Sequence, residues 1–376
     1  MASFSQQASK RLKRNKGAMA GMAVILLALL AGIFAYFLSP DHTPYANRMI
    51  LEISGQKPGF RIHMLAVPSA VPPPQRSWLH RLVYGQESGD TWVPVTAWKF
   101  DGDSLYVEKY VDEATTAPGV YSLAQALYGK ETVVADVKAA REKIGKEQIV
   151  LRHYRLGTDK FGRDILSRLL VGTRVSLSVG CIAVLISLTI GIFLGAVAGY
   201  FRGATDEAVM WLINVIWSVP TLLLVFAITL ALGKGFWQVF IAVGLTMWVS
   251  VARIIRGQVM GLRELQFVEA TRALGYGHVR TVLRHILPNI LGPVMVVAAS
   301  NFATAIVVEA GLSFLGVGVQ PPQPSWGLMI KENYNFIITH NPLLALAPGF
   351  AIMLLVLAFN LLGNGLRDAM DVKGKI

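Results

Sequence analysis

Six long apolar runs, parted by short polar and often basic stretches, set the pattern of this chain: Gly17–Leu38, Val175–Phe201, Ala208–Leu232, Phe236–Ile255, Asn289–Gly311 and Leu343–Leu362. Each approaches or exceeds the ~20 residues an α-helix needs to cross a hydrocarbon core. The pattern therefore predicts an all-α integral membrane protein with about six transmembrane helices. Pro220, Pro293 and Pro348 fall inside runs and predict kinks, which are tolerable where neighbours re-satisfy the backbone. One region departs from the pattern. Within 41–156, Thr91 to Val111 alternates as two strands around a turn at Asp101-Gly102-Asp103, while Tyr121–Tyr128 and Ala135–Lys146 read as helices. Val67 to Pro74 is a proline-rich loop. This is enough chain for a small α+β insert. Asp101 and Asp103 lack the further ligands of a calcium loop and read as turn residues.

The divisions follow from these changes of character. Residues 1–16 form a basic N-terminus, 17–40 the first span, 41–156 the insert, 157–366 a core of five further spans, and 367–376 a polar tail. No small-x-small cleavage site follows the first run, so it reads as a retained helix and not as a signal peptide. Arg202 lies in one loop, and Arg253, Arg256, Arg263, Arg272, Arg280 and Arg284 lie in or beside another. Arg367, Lys373 and Lys375 end the chain, whereas the opposite loops offer only Lys234 and Lys331. Basic loops stay on the cytoplasmic side, which places both termini inside and the insert outside. Arg163, Arg168 and Arg174 stand against that assignment, since it puts three bases on the outer side.

Composition changes the picture little. Of 376 residues, 53% are hydrophobic and 15% charged, too apolar for an ordinary soluble protein. The net charge of +12 sits in loops beside the runs, where membrane topology accounts for it and a nucleic-acid partner is not needed. The single cysteine, Cys181, lies in a run and excludes a disulfide framework within one chain.

The charged loop at 262–288 is the distinctive stretch. Its first half, Phe267 to Leu274, has Phe267, Ala270, Ala273 and Leu274 near one helical face and Glu269 and Arg272 on the polar side. Gly275 and Gly277 break that helix, and a second helical stretch from His278 to Ile286 ends at Pro288. Glu269, Ala270, Gly275, Leu287 and Pro288 fall at the spacing of the signature loop of ABC-importer permeases, so this stretch resembles that loop. Thr271 replaces the second alanine of the family pattern, and His285 stands at its isoleucine. Arg-Ala-Leu-Gly followed by Arg-His-Ile-Leu-Pro-Asn is similar to the peptide and nickel branch in particular. So are Gly157-Thr158-Asp159-Lys160-Phe161-Gly162-Arg163-Asp164, which opens an amphipathic interfacial helix, and the outer stretch Phe314–Met329 with its Pro-Ser-Trp-Gly, too rich in Pro and Gly for a regular helix. The resemblance covers Gly157 to the C-terminus and the character of the first helix; the insert matches no named family.

The resemblance implies a type I importer permease fold and a subunit of the bacterial inner membrane that imports peptides or peptide-like solutes. The implied partners are a second homologous permease, two ABC ATPase subunits and an extracytoplasmic solute-binding protein. Within the loop it implies that Glu269, Ala270, Arg272 and Gly275 couple the permease to the ATPase: Glu269 orients the loop by polar contacts that include Arg272, Ala270 permits close packing and Gly275 makes the turn.

The residues themselves carry little chemistry. No phosphate-binding Gly-x-x-x-x-Gly-Lys-Ser/Thr loop, nucleophile elbow or zinc-protease helix occurs. His42, His63, His80, His153, His278, His285 and His340 lack metal-ligand spacing. The expectation is a transport subunit without a catalytic site of its own or a cofactor. Glu309 is the one acid deep in a late run. It reads either as a pore or gate residue or as support for the Gly311–Gln320 turn. The rival reading of the whole chain is an ion-gradient-driven secondary transporter, which calls for intramembrane carboxylates or broken helices at the midplane.

Overall fold

A computed structural model describes residues 4–233, 235–338 and 341–370; Lys234, His340, Lys373 and Lys375, used above, lie outside the described residues. The chain opens with helix α1 (Phe4–Arg14) and the first span, α2 (Lys16–Ile33) continued by α3 (Ala35–Leu38). Asn15 caps α2 by accepting from the Ala18 amide at 3.1 Å.

The insert is a five-stranded antiparallel sheet in the order β4-β3-β2-β1-β5, built from β1 (Phe60–Val67), β2 (Thr91–Asp101), β3 (Ser104–Tyr110), β4 (Thr116–Ser122) and β5 (Ile149–Tyr154). The expected hairpin is β2–β3, closed where Asp101 pairs with Ser104. Its helices are α4 (Trp78–Tyr84), α5 (Leu123–Tyr128) and α6 (Val137–Lys143). Strand alternation separates two cores. Leu65, Val95, Leu105, Val107 and Ile149 meet α5 and α6 on one face, and Ile62, Met64 and Tyr110 pack with Ile50 and Ile53 on the other. The strands β1, β4 and β5 were not legible in the sequence. Of these, β4 carries Pro118 and Gly119, which weaken the strand signal.

The core of further spans follows. Its first helix, α7 (Ile165–Phe201), runs unbroken over 37 residues, so the expected interfacial helix at Ile165–Leu170 is instead the first part of the second span. Next come α8 (Gly203–Trp217) and α9 (Thr221–Leu232), read in sequence as one kinked span but bent by 90° at the break. Pro220, which has no amide hydrogen to donate, precedes α9 and accounts for the sharpness of the turn. Then follow α10 (Phe236–Arg263), two short helices α11 (Gln266–Ala273) and α12 (His278–Thr281), and α13 (Leu291–Leu315). The chain closes with α14 (Trp326–Asn333) and α15 (Leu343–Met370). Among the described residues, five runs are long and apolar enough to cross a membrane, six with the bent pair. The last helix extends to Met370, into the stretch read as tail. Trp326 to Met329, expected to be irregular, opens α14, with Ser325 accepting from the Leu328 amide at 3.1 Å.

Helices α7 and α10 form the spine. Gly191, Gly195 and Gly199 line up every fourth residue on α7, and a Cβ added at any of them would come within 2.7 Å of α10, so only glycine allows this approach. On the insert side, the three awkward arginines are all engaged. Asp159 accepts from the Phe161 and Arg163 amides and from Arg163 Nε at 2.6 Å. Glu332 of α14 accepts from Arg163 Nη2 at 2.7 Å and Arg168 Nη2 at 3.1 Å. All four side chains are nearly or wholly buried. Arg174 donates to the carbonyls of Leu82 and Val83 at the end of α4. These are paired or hydrogen-bonded charges, fixed in the fold as struts between the lead-in turn, α14 and the insert, and not the mobile loop charges that the topology rule counts.

Candidate functional site

The charged loop descends from α10 without a flexible joint. Leu265 is the hinge residue, donating to the Leu262 carbonyl and accepting from Val268, and α11 starts at the next position. At the other end of α11 the Gly275 amide donates to Arg272 O at 2.9 Å and the Tyr276 amide to Thr271 O at 3.0 Å. With Gly275 at φ +75°, these two bonds make a Schellman stop. A Cβ at Gly275 would meet nothing within 4 Å, so the constraint there is conformational and not steric.

Two residues hold the inner side of α11: Val268, which the sequence did not single out, and Thr271, noted there only as a departure from the family pattern. Val268 is fully buried and shares one apolar cluster with Ala196 and Tyr200 of α7, Val251, Ile255 and Val259 of α10, and Ile286 and Ile290 beyond the loop. Thr271, the departure from the family pattern, is buried too. Its hydroxyl donates to Val268 O at 2.7 Å and lies 3.3 Å from the Thr281 hydroxyl, joining the two halves of the loop. An alanine there would lose that link.

The second half does not stop at Pro288. From α12 the chain passes through a π turn at Val282–Ile286 and a 3-10 turn at Leu287–Ile290 directly into α13. The change of hydrogen-bond register accommodates the missing proline donor, and Asn289 Nδ2 caps the His285 carbonyl at 2.6 Å. The loop is thus continuous with two spans, α10 and α13.

Tyr200 is the third anchor. Its side chain is buried at the end of α7, its hydroxyl lies 3.0 Å from His278 Nδ1, and the two rings meet edge to face at 5.5 Å. The guanidiniums of Arg263 and Arg272 each lie 5.7 Å from the Tyr200 ring. Arg272 therefore faces an aromatic, and no ion pair to Glu269 forms among the described residues. Nearby, Arg202 pairs with Glu264 at 2.5 Å, tying α7 to the end of α10.

What remains outside is both the apolar side and the polar side read from the sequence. Phe267, Glu269, Ala270, Arg272, Ala273 and Leu274 are all exposed. An apolar stripe with charges beside it, on a helix whose opposite face is locked into the membrane core, has the form of a docking surface. Glu309 lies elsewhere. It is fully buried near the far end of α13 and accepts from the Ser313 hydroxyl at 2.6 Å, while that hydroxyl accepts from the Val319 amide at 3.0 Å. Among the described residues, no group of three His, Cys, Asp or Glu is placed to hold a metal ion.

The arrangement has counterparts in known proteins. Residues 191–373 match the family of binding-protein-dependent transport system inner membrane components, and residues 3–57 match the N-terminal transmembrane domain of oligopeptide transport permease C. Neither match reaches residues 58–190, which hold most of the insert. A glutathione transport system permease protein of Pectobacterium atrosepticum is 41% identical over 220 residues, covering 58% of this chain and 73% of the relative. A dipeptide transport system permease protein of Alkalihalophilus pseudofirmus is 42% identical over 219 residues, covering 58% and 72%. Among solved structures, an inward-facing MetNI methionine ABC transporter is 20% identical with a TM-score of 0.45, over 54% of this chain and 96% of that one.

Proposed function

Because this chain belongs to the family of binding-protein-dependent transport system inner membrane components, we propose that it is one permease subunit of an ATP-driven importer for peptides or peptide-like solutes. It pairs with a second homologous permease to form the translocation path. Two ABC ATPase subunits drive the pair, and an extracytoplasmic solute-binding protein delivers cargo. The subunit lies in the bacterial inner membrane with both termini cytoplasmic, and contributes no ATPase site of its own.

The observation that carries this reading is the two-faced α11. Its outer face (Phe267, Glu269, Ala270, Arg272, Leu274) is open, while Val268 binds its inner face to the cluster shared by α7, α10 and α13, and Thr271 ties it to Thr281 in the second half of the loop. A displacement of α11 by an ATPase subunit moves that cluster as one body, because packed interiors transmit strain and do not absorb it. Tyr200 carries the same displacement to α7 through His278. ATP binding closes the motor dimer, the two permeases swing, and the path opens outward to accept cargo. Gly275 keeps α11 short and rigid.

The secondary-transporter reading draws on Glu309 and on the broken α8–α9 pair. We assign Glu309 to holding the Gly316–Gln320 turn through Ser313, beside α14, where it supports the outer mouth of the path. The insert, with its own two cores, is proposed as a docking surface or lid for the binding protein. Copurification from the native membrane tests the assembly. Two ATPases, a second permease and a trapped peptide-like ligand are the expected companions. A subunit that purifies alone and transports on an ion gradient would overturn it.

A further inference from the structure

The helix α4 of the insert is fastened beside the far end of the first span. From Lys16 to Leu38 the first span rises roughly 34 Å at 1.5 Å per residue, which matches a hydrocarbon core of about 30 Å. Tyr36, Phe37 and Leu38 therefore reach its far boundary. At that height α4 is fastened twice. The Gln86 amide donates to His42 O at 2.8 Å, and Gly85 lies so close that a Cβ there would come within 2.7 Å of the same carbonyl and 3.0 Å of the Tyr36 ring. Arg174 of α7 donates Nη1 to Leu82 O at 3.2 Å and Val83 O at 2.9 Å, satisfying carbonyls that the helix end leaves free.

Held so firmly, α4 nevertheless leaves its apolar residues uncovered, Val83 and Tyr84 along an open cavity shared with Val171 and Val175 of α7, and Trp78 and Leu79 apart from it. Trp78, Leu79, Val83 and Tyr84 are all exposed, between 45% and 64%. The stripe continues onto Phe34, Phe37 and Leu38, the exposed end of the first span. A water-facing surface of this kind is costly, whereas tryptophan and tyrosine at a membrane boundary place an apolar ring in lipid and a polar edge in the headgroups. Beside the stripe lies a cavity of about 550 Å³ walled by Arg48, Arg76, Arg81 and Arg152, against two acids, Glu87 and Asp90. Arg48 and Arg152 stack on Trp92 at 4.6 and 4.4 Å. Arg76 and Arg81 form no ion pair among the described residues.

We propose that α4 is an interfacial foot. Trp78 and Leu79 enter the acyl boundary of the leaflet on the insert's side, and Arg76 and Arg81 hold the phosphate of an anionic phospholipid at the mouth of the basic cavity. Continuity with the lipid-facing end of the first span selects lipid as the occupant, and the arginine excess selects an anionic headgroup. The foot fixes the height and tilt of the insert's sheet above the membrane. It rests on the multi-pass reading alone, and the coupling loop plays no part in it.

The test uses the full chain in lipid nanodiscs. Cys181→Ser removes the native thiol, and Leu79→Cys carries an environment-sensitive fluorophore, with Val133→Cys on the insert's open surface as reference. Brominated acyl chains should quench the label at position 79, and aqueous iodide should not; the reverse is expected at 133. In a second arm, native mass spectrometry of Arg76→Gln and Arg81→Gln should show retention of phosphatidylglycerol over phosphatidylcholine falling about fivefold for each arginine removed. Millimolar glycerol phosphate should not displace the lipid, since a headgroup alone lacks the acyl contacts. Iodide quenching at 79 without bromine quenching overturns the proposal, as does shielding that appears only when an acidic binding protein is added. Lipid retention indifferent to both arginines overturns the headgroup assignment.

Discussion

The hydroxyl of Tyr200 lies 3.0 Å from Nδ1 of His278, across 78 residues of sequence, and joins the end of one membrane span to the loop between two others. The guanidiniums of Arg263 and Arg272 each lie 5.7 Å from the same tyrosine ring. Removing the hydroxyl as Tyr200→Phe should lower stability by about 1 kcal/mol, the usual worth of one hydrogen bond. It should keep the ring contacts and reduce uptake per ATP hydrolysed. Tyr200→Ala should cost about 3–5 kcal/mol, because it also empties a packed cluster. Thermal unfolding together with the uptake-to-hydrolysis ratio separates the two. If Tyr200→Phe leaves that ratio untouched, the hydrogen bond carries no mechanical load.

Gly275 offers a graded test of the turn. Its φ of +75° strains an L side chain by about 1–2 kcal/mol, while the space around it is open. Asparagine, which tolerates this conformation, should retain most transport, alanine less and isoleucine least. A variant series whose transport follows side-chain volume, with asparagine as damaging as isoleucine, would show that crowding and not backbone strain governs the position.

The buried quartet of Asp159, Arg163, Arg168 and Glu332 is a stability element. Glu332→Gln leaves two guanidiniums, each about 1% exposed, to share one carboxylate. A loss of roughly 3–5 kcal/mol is expected, as for breaking other buried pairs. The readout is a lowered unfolding midpoint in detergent. An unchanged midpoint would mean that the charges are solvated in the membrane-embedded protein.

Orientation is tested with cysteines placed on exposed positions in a Cys181→Ser background. Val133→Cys in the insert should react with a membrane-impermeant thiol reagent on spheroplasts, and Arg284→Cys in the loop should react only after lysis. The opposite pattern would place the loop outside, away from ATP.

Much of this architecture was legible because hydrophobic spans are long-range averages over about twenty residues, which local exceptions do not disturb. The β2–β3 hairpin was legible for the same reason on a smaller scale, since Asp101-Gly102-Asp103 sits between alternating runs. The 90° bend at Pro220 was not, because a proline announces a break but not its angle. Nor was the role of Arg163 and Arg168. Their partner Glu332 lies more than 160 residues away, and no periodicity links them. In the loop, the sequence showed a short helix with an apolar and a polar side but not what Val268 and Thr271 do, since their importance lies in what α7, α10 and the second half of the loop bring to them. Tyr200 escaped for the same reason: at the end of an apolar run it reads as one more interfacial aromatic.

The central claim is that the exposed face of α11 receives the motor's stroke, and charge reversal on that face addresses it most directly. Glu269→Lys alters an exposed side chain in no membrane span, and it introduces a like-charged neighbour three residues from Arg272. Insertion and pairing with the second permease should survive. Reconstituted with its ATPases and binding protein, the variant should lose cargo-stimulated ATP hydrolysis and uptake together, while the isolated ATPases hydrolyse at their normal rate. Full stimulation and full uptake by Glu269→Lys, and equally by Phe267→Asp on the same face, would contradict the account and return the ion-gradient mechanism to the front.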